Sequence, residues 1–173
     1  MAARMDLFLR YLEMNHKNVV ITCKNQVPQT KAKNGEEVTG LLAVCSYLAQ
    51  LSSNKQHLLG TNPEERASVQ QWVEYLQLSV DRCASNHEST NTVLKELNLY
   101  LKDRVYFVGN SLTLADILIY YSLHPTFAAL SFQDKEKYNH VSRWFDLIQH
   151  DSSIRQHLPL LVFSKMMLYE KHR

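Results

Sequence analysis

The stretch FVGNSLTLADILIYY, residues 107–121, constrains this chain more than any other. Thr113 stands where a helix N-cap belongs, and Asp116 follows three residues later. A cap hydroxyl accepts from the third backbone N–H, and an acidic side chain there reaches back to the N–H of the cap. Leu112 and Ile117 flank the cap as a hydrophobic staple, and the Asp116 carboxylate faces the positive end of the helix dipole. A structural capping box, Thr113 and Asp116, therefore starts a helix. Its continuation through Ile117, Leu118, Ile119, Tyr120 and Tyr121 is apolar on every side. Such a helix is stable in water only at the centre of a core. The rest of the chain must supply the shell.

Most of that shell reads as helix. Asn62 is a cap, with Pro63 at the first helical position and Glu64 and Glu65 in the first turn. The helix over 64–83 carries an apolar stripe at Val69, Trp72, Val73, Leu76 and Val80. A second, over 90–103, carries Val93, Leu94, Leu97, Tyr100 and Leu101. Ser131 and Asp134 cap a third, which carries Tyr138, Val141, Trp144, Phe145 and Ile148. A last short helix is expected around LPLLVFSKMMLY. Pro125 predicts a bend in the central helix.

The N-terminal part is different. A short amphipathic helix over about 5–15 presents Leu7, Phe8, Tyr11, Leu12 and Met14. It is interrupted by Asp6, Arg10 and Glu13, so it does not read as a signal peptide. Val19–Cys23 is rich in β-branched residues and reads as a strand. QVPQT contains Pro28, which fits an edge strand or a turn. Asn34-Gly35 marks a hairpin. The helix over 39–51 is apolar nearly all round, and SSNKQHLLGTNPEE reads as a linker. The fold class is α+β: a small mixed unit over 1–55, a linker over 56–62 and an all-helical unit over 63–173.

Chemistry is sparse. The net charge of +2 (19 basic, 17 acidic) gives no electrostatic case for nucleic acid or an anionic membrane. No apolar run approaches the roughly 18–20 residues of a membrane span. Cys23, Cys45 and Cys83 are odd in number and widely spaced, which fits a reduced compartment and neither a disulfide framework nor a zinc site. His124, His140, His150 and His157 fall on separate segments and read as surface or capping residues, so no metal is expected. Gly60 and Gly109 lack phosphate-loop spacing, and no GxSxG occurs. Asp116 is accounted for by its capping role. The lysines of KNQVPQTKAK read as a solvated edge that resists aggregation. These residues describe a scaffold without an assembled active site. An enzyme and an interaction module both remain open at this point.

Three segments carry a family resemblance. GNSLTLADILIYY resembles the capping-box helix that begins the central core helix of the glutathione transferase C-terminal domain. QVPQTKAKNGEEVTGLLAVCSYLA resembles the second half of that family's thioredoxin-like domain, with a Val-Pro step that is usually cis. HVSRWFDLIQ resembles its late Arg-Trp helix. The resemblance covers nearly the whole chain and implies a glutathione-transferase-like fold with a truncated thioredoxin-like N-terminal domain. Two departures stand out. The family's acidic or amide residue followed by Ser, which holds the γ-glutamyl group, is Gly40-Leu41 here. No first strand bears an activating Tyr, Ser or Cys: Tyr11 lies in a helix, and Cys23 follows a strand. No catalytic or cofactor-binding residue is therefore expected. A glutathione-dependent transferase or peroxidase is the alternative, and a nucleic-acid-binding module the remaining one.

LTLADILIYY, KEKYNHVSRWF, IQHDSSIRQHL and VQQWVEY narrow the resemblance to the non-catalytic, transferase-like adaptors of the aminoacyl-tRNA synthetase complex. That implies a hetero-oligomer with the transferase-like domains of methionyl-tRNA synthetase and glutamyl-prolyl-tRNA synthetase. It also implies a cytoplasmic protein with a nuclear pool linked to the DNA-damage response. The family's dimer face implies a partner surface on the helices over 39–51 and 64–83. There Ala67, Gln71, Glu74 and Leu78 lie opposite the core stripe, and Leu41 is expected beside them. Arg143 lies off its own core stripe and points to solvent, with Asp146 in reach for an ion pair. The resemblance places Arg143 at a second partner surface.

Overall fold

The structure is a computed structural model, and it describes residues 2–14, 21–24, 27–33, 35–52, 56–83 and 87–163. In chain order these form helix α1 (Ala2–Tyr11), strands β1 (Ile21–Lys24), β2 (Val27–Lys31) and β3 (Glu37–Thr39), and helix α2 (Leu41–Leu51). A 3-10 turn (Gln56–Leu59) leads to α3 (Pro63–Tyr75), a π-helical segment (Leu76–Val80) and a short α4 (Asp81–Cys83). Then come α5 (His87–Tyr100), α6 (Leu114–Ala129), α7 (Phe132–Lys137), α8 (Asn139–Gln149) and α9 (Ser152–Arg155).

The capped helix is α6, and it lies at the centre as its composition requires. Ile117, Leu118, Ile119 and Tyr120 are fully buried, and α6 packs on α1, α3 and α8. It runs through Pro125 to Ala129. Asp116 accepts from the backbone N–H of Thr113 at 3.0 Å and from its hydroxyl at 2.8 Å. The carboxylate does more than cap: it also accepts the backbone N–H of Phe107 and the indole N–H of Trp144, each at 3.0 Å. Burial pushes the Asp116 carboxyl up from its ordinary value, against the pull of the bonds from Phe107, Trp144 and Thr113. Four donors from three segments thus meet on one side chain.

The other caps form as expected. Asn62 Oδ1 accepts from the N–H of Glu65 at 2.8 Å, and Ser131 Oγ from that of Asp134 at 3.1 Å. The Ser131 helix breaks once, at Tyr138, into α7 and α8. The expected linker is tighter than its composition suggests. Leu58 is fully buried within it, and Gly60 sits at φ +96, where an added Cβ would lie 2.8 Å from Arg66 N. The described part of the LPLLVFSKMMLY segment, through Phe163, is not helical, and residues 164–173 lie outside the described range.

The sheet is antiparallel in the order β1-β2-β3, with Cys23 opposite Pro28 and Thr30 opposite Val38. Val19 and Val20, expected in the first strand, lie outside the described residues, as does Asn34; Gly35 takes φ +88 in the β2–β3 hairpin. The VPQT part of this segment falls on β2, the central strand of the described sheet, not on an edge or a turn; Gln26 lies outside the described residues. Proline is tolerated there because Pro28 lies opposite Gly40, one residue past the end of β3. Gly40 N–H donates to Pro28 O at 2.9 Å, and the reciprocal bond that proline cannot make would fall beyond the ladder. No peptide bond among the described residues is cis, so the Val27–Pro28 step is trans, unlike the family pattern.

The N-terminal helix is clamped to the helical layer by charge. Arg4 meets Asp81 in two bonds, Nη1–Oδ1 at 2.8 Å and Nη2–Oδ2 at 2.9 Å, and also reaches Ser122 Oγ on α6. Arg4 is buried and Asp81 is exposed, so loss of Asp81 would deprive a buried guanidinium of its bidentate partner.

His124 pins the last described segment. It is 5% exposed, and its Nε2 lies 3.2 Å from Pro159 O. A carbonyl can only accept, so Nε2 carries the proton of a neutral ring. Burial holds this imidazole below its ordinary pKa, and the Pro159 bond acts the other way. The unfolded chain therefore takes up this proton first, near the ordinary value of about 6.5. Stability from His124 is present above that pH and is lost as pH falls toward the lower folded value. Thermal melts across that window should show a steeper loss in the wild type than in His124→Gln, which keeps the donor and cannot titrate. Equal slopes would remove His124 from the account.

Candidate partner-binding surfaces

The outward face of α3 forms the first surface. Its core stripe is buried at Val69, Val73, Leu76 and Val80, with Trp72 half-buried. Ala67, Gln71 and Glu74 face solvent. Leu78, 58% exposed, is the large apolar side chain on this face. It lies in the π-helical segment, a distortion frequent at functional sites. A cleft of about 330 Å³ opens beside it, between Leu78 and Arg82 on one wall and Thr92 and Glu96 on α5.

Leu41 does not join this surface. It is fully buried, at the first position of α2, where β2, β3 and the 3-10 turn pack against the helix. Ala43 and Gln50 face outward instead. Its own chain buries Leu41, Val44, Cys45, Leu48 and Ala49 of this helix and half-buries Leu42 and Tyr47, so the broad patch expected from α2 and α3 together reduces to the α3 face around Leu78.

The second surface surrounds Arg143, which is exposed. Its guanidinium is not paired with Asp146. Nη2 donates to Leu101 O and to Arg104 O, both at 2.8 Å, in the turn just past the C-terminal end of α5. Asp146 accepts from Gln149 Nε2 at 2.7 Å instead. Helix ends leave carbonyls without partners, and a cation there also suits the dipole. The service is returned: Asn98 of α5 accepts the N–H groups of His140 at 2.9 Å and Val141 at 3.2 Å, at the start of α8. Each helix caps the other. Exposed apolar residues border this site: Leu147 at 46%, one turn along α8, and Val105 at 56%, next to Arg104. The sequence signal for the reciprocal caps is slight, a polar Asn98 on the stripe side of α5. Gln149 gives no sequence signal either; it grips the last described segment, donating to Leu161 O at 2.8 Å and accepting from Leu161 N–H at 2.9 Å.

The region of the family's glutathione site offers little chemistry. Gly40, at φ +105, has no side chain to cap α2 or hold a carboxylate, and Leu41 is buried and apolar. Tyr11 is 4% exposed. Burial, with Asp151 nearby, pushes its phenol up to about 12, opposite to the shift an activating group needs. Burial does the same to the Cys45 thiol, which also reaches about 12. Among the described residues no group of three or more His, Cys, Asp or Glu is placed to hold a metal ion.

The fold defines a glutathione-transferase-like protein. A class Gtt2 glutathione S-transferase of Vibrio parahaemolyticus superposes with a TM-score of 0.69 at 22% identity, over 95% of this chain and 94% of its own. The sequence goes further. It is 50% identical to eukaryotic translation elongation factor 1 epsilon-1 of Cricetulus griseus, over 84% of this chain and 83% of that protein. Residues 65–152 also match the family described as nuclear-export cofactor Arc1p. The bifunctional glutamate/proline–tRNA ligase of Cricetulus griseus contains a segment 32% identical over 68% of this chain and 8% of the ligase. The chain belongs to the eukaryotic translation elongation factor 1 epsilon-1 family.

Proposed function

We infer that this chain is a non-catalytic adaptor of the multi-aminoacyl-tRNA synthetase complex, joining transferase-like domains of two synthetases. The observation that carries this reading is the presence of two exposed, separately built surfaces on one chain. A bridge needs two faces. Likeness to a segment of a synthetase and to a synthetase cofactor family supports partners of that class. In this reading the α3 face, with Ala67, Gln71, Glu74 and Leu78, takes the methionyl-tRNA synthetase domain, and the Arg143 face takes that of glutamyl-prolyl-tRNA synthetase. Arg143 suits its role because the carbonyls of Leu101 and Arg104, just past α5, already hold its guanidinium in place through Nη2, so little freedom is lost on binding. The protein works beside the cytoplasmic translation machinery, and the nuclear pool stands as part of the same proposal.

Titration calorimetry of the full chain against each isolated domain tests both faces. Leu78→Glu should weaken capture of the methionyl domain by about 2 kcal/mol or more, the scale of an interface hot spot, and spare the other. Arg143→Ala and Arg143→Lys should do the reverse. Unchanged binding in all three variants would refute the assignment.

Conjugation chemistry should be missing as well. With Leu41 in place of a carboxylate anchor and the Tyr11 phenol held protonated, glutathione should react with an electrophilic aromatic substrate no faster than in buffer. Turnover that disappears in Tyr11→Phe or Cys23→Ser would establish an enzyme instead.

A further inference from the structure

A cleft beside the Arg143 surface, with Asn98 and His140 in its lining, lies between α5 and the α7–α8 turn. Lys95 and Leu99 lie about a turn apart on the outer face of α5, Lys102 follows in the turn that ends it, and all three are exposed. Lys137 and His140 face them from the turn, across a volume of about 330 Å³. Among the described residues no carboxylate lines it. Three lysines thus line one cleft in a chain whose net charge is only +2. Like charges gathered around one cleft repel each other, and an anionic occupant turns that repulsion into attraction.

The floor is apolar and firm. Leu99 is 74% exposed, the most exposed of the large apolar residues among the described ones, on the side of α5 away from its core stripe. Asn98 beside it is spent on the α8 cap, which fixes the two walls relative to each other. Helix α8 begins here, so its positive end adds to the field of the lysines.

We propose that this cleft docks an acidic segment of a partner protein, with one apolar side chain laid on Leu99 and flanking carboxylates reaching Lys95, Lys102 and Lys137. A protein segment fits better than RNA. Stacking platforms for bases require an exposed aromatic face, and Tyr138, the aromatic residue of the cleft, is 2% exposed. The cations of the cleft are lysines and a histidine, with no arginine to fork onto phosphate or stack on a base. The site is separate from the Leu78 face and from the Arg143 guanidinium, and it stands whether or not those surfaces hold synthetase domains.

Fluorescence anisotropy with the full chain tests it. The probe is a labelled peptide with one leucine flanked on both sides by aspartates. Its controls are the same peptide with alanine for leucine, a lysine-flanked version, and poly-uridylate as competitor. The aspartate peptide should bind saturably at low ionic strength and weaken as salt is added. Lys95→Glu with Lys102→Glu should weaken it at least about tenfold, because two attractions become two repulsions. Lys137→Glu, on the opposite wall, should weaken it as well, and Lys31→Glu, on the sheet, should not. Leu99→Ser should lower affinity for the leucine peptide and leave the alanine peptide unaffected. All these residues are exposed, so unchanged melting temperatures will separate lost binding from lost fold. No saturable binding of the aspartate peptide, or binding indifferent to the charge reversals, would overturn the proposal. Poly-uridylate displacing the peptide through the same lysines would overturn it in favour of a nucleic-acid site.

Discussion

Asp116→Ala should cost at least about 3 kcal/mol of folding stability, since it strands the N–H groups of Phe107, Thr113 and Trp144. Each buried donor without a partner costs about 1–3 kcal/mol. A domain of this kind has about 5–15 kcal/mol in all, so the variant should be barely folded at physiological temperature. Asp116→Asn should be costly too, because one amide oxygen cannot serve four donors and its NH₂ group faces other N–H groups. Urea denaturation followed by tryptophan fluorescence reads the effect, and Trp144, a hydrogen-bond donor to this carboxylate at 3.0 Å, reports from the site itself. A midpoint like that of the wild type would mean that the carboxylate does not hold the loop before α6, α6 itself and α8 together.

A comparably large effect is expected at Leu41. Leu41→Arg places a guanidinium at a position with no exposed surface, where an unpaired charge costs several kcal/mol. Truncating the leucine alone would cost about 2–5 kcal/mol. The variant should give no cooperative thermal transition and should aggregate on gel filtration. Leu78→Glu, at 58% exposure, should melt within about 0.5 kcal/mol of wild type, as surface substitutions do. The contrast matters for reading binding data: lost capture in Leu41→Arg reports on folding, and lost capture in Leu78→Glu reports on the surface. A well-folded Leu41→Arg protein that fails to bind a synthetase domain would return Leu41 to the interface.

What could be read from the amino-acid order was local or periodic. The Thr113–Asp116 box, the Asn62 and Ser131 caps, the stripes of α3, α5 and α8, and the outward positions Ala67, Gln71, Glu74 and Leu78 all follow from spacings of three and four residues. Such signals need no knowledge of what packs where. The family motifs extended them to a fold, because their order along the chain matched. Tertiary structure decided everything that depends on a neighbour distant in sequence. An all-apolar helix such as α2 reads the same whether its outer side meets a partner or its own sheet, so the burial of Leu41 was invisible. Pro28 could enter a central strand because β3 ends one residue short of it, a fact of strand length and not of composition. Arg143 had an acidic neighbour three residues away, and helix geometry alone favoured that pair. The carbonyls of Leu101 and Arg104 won instead, because they lie in the turn that ends α5, where helix geometry leaves acceptors facing outward. The same holds for the cleft around Leu99: two of its lysines are a pattern on one helix, but the third comes from a turn about 40 residues on, and only the mutual capping of α5 and α8 brings the two walls together.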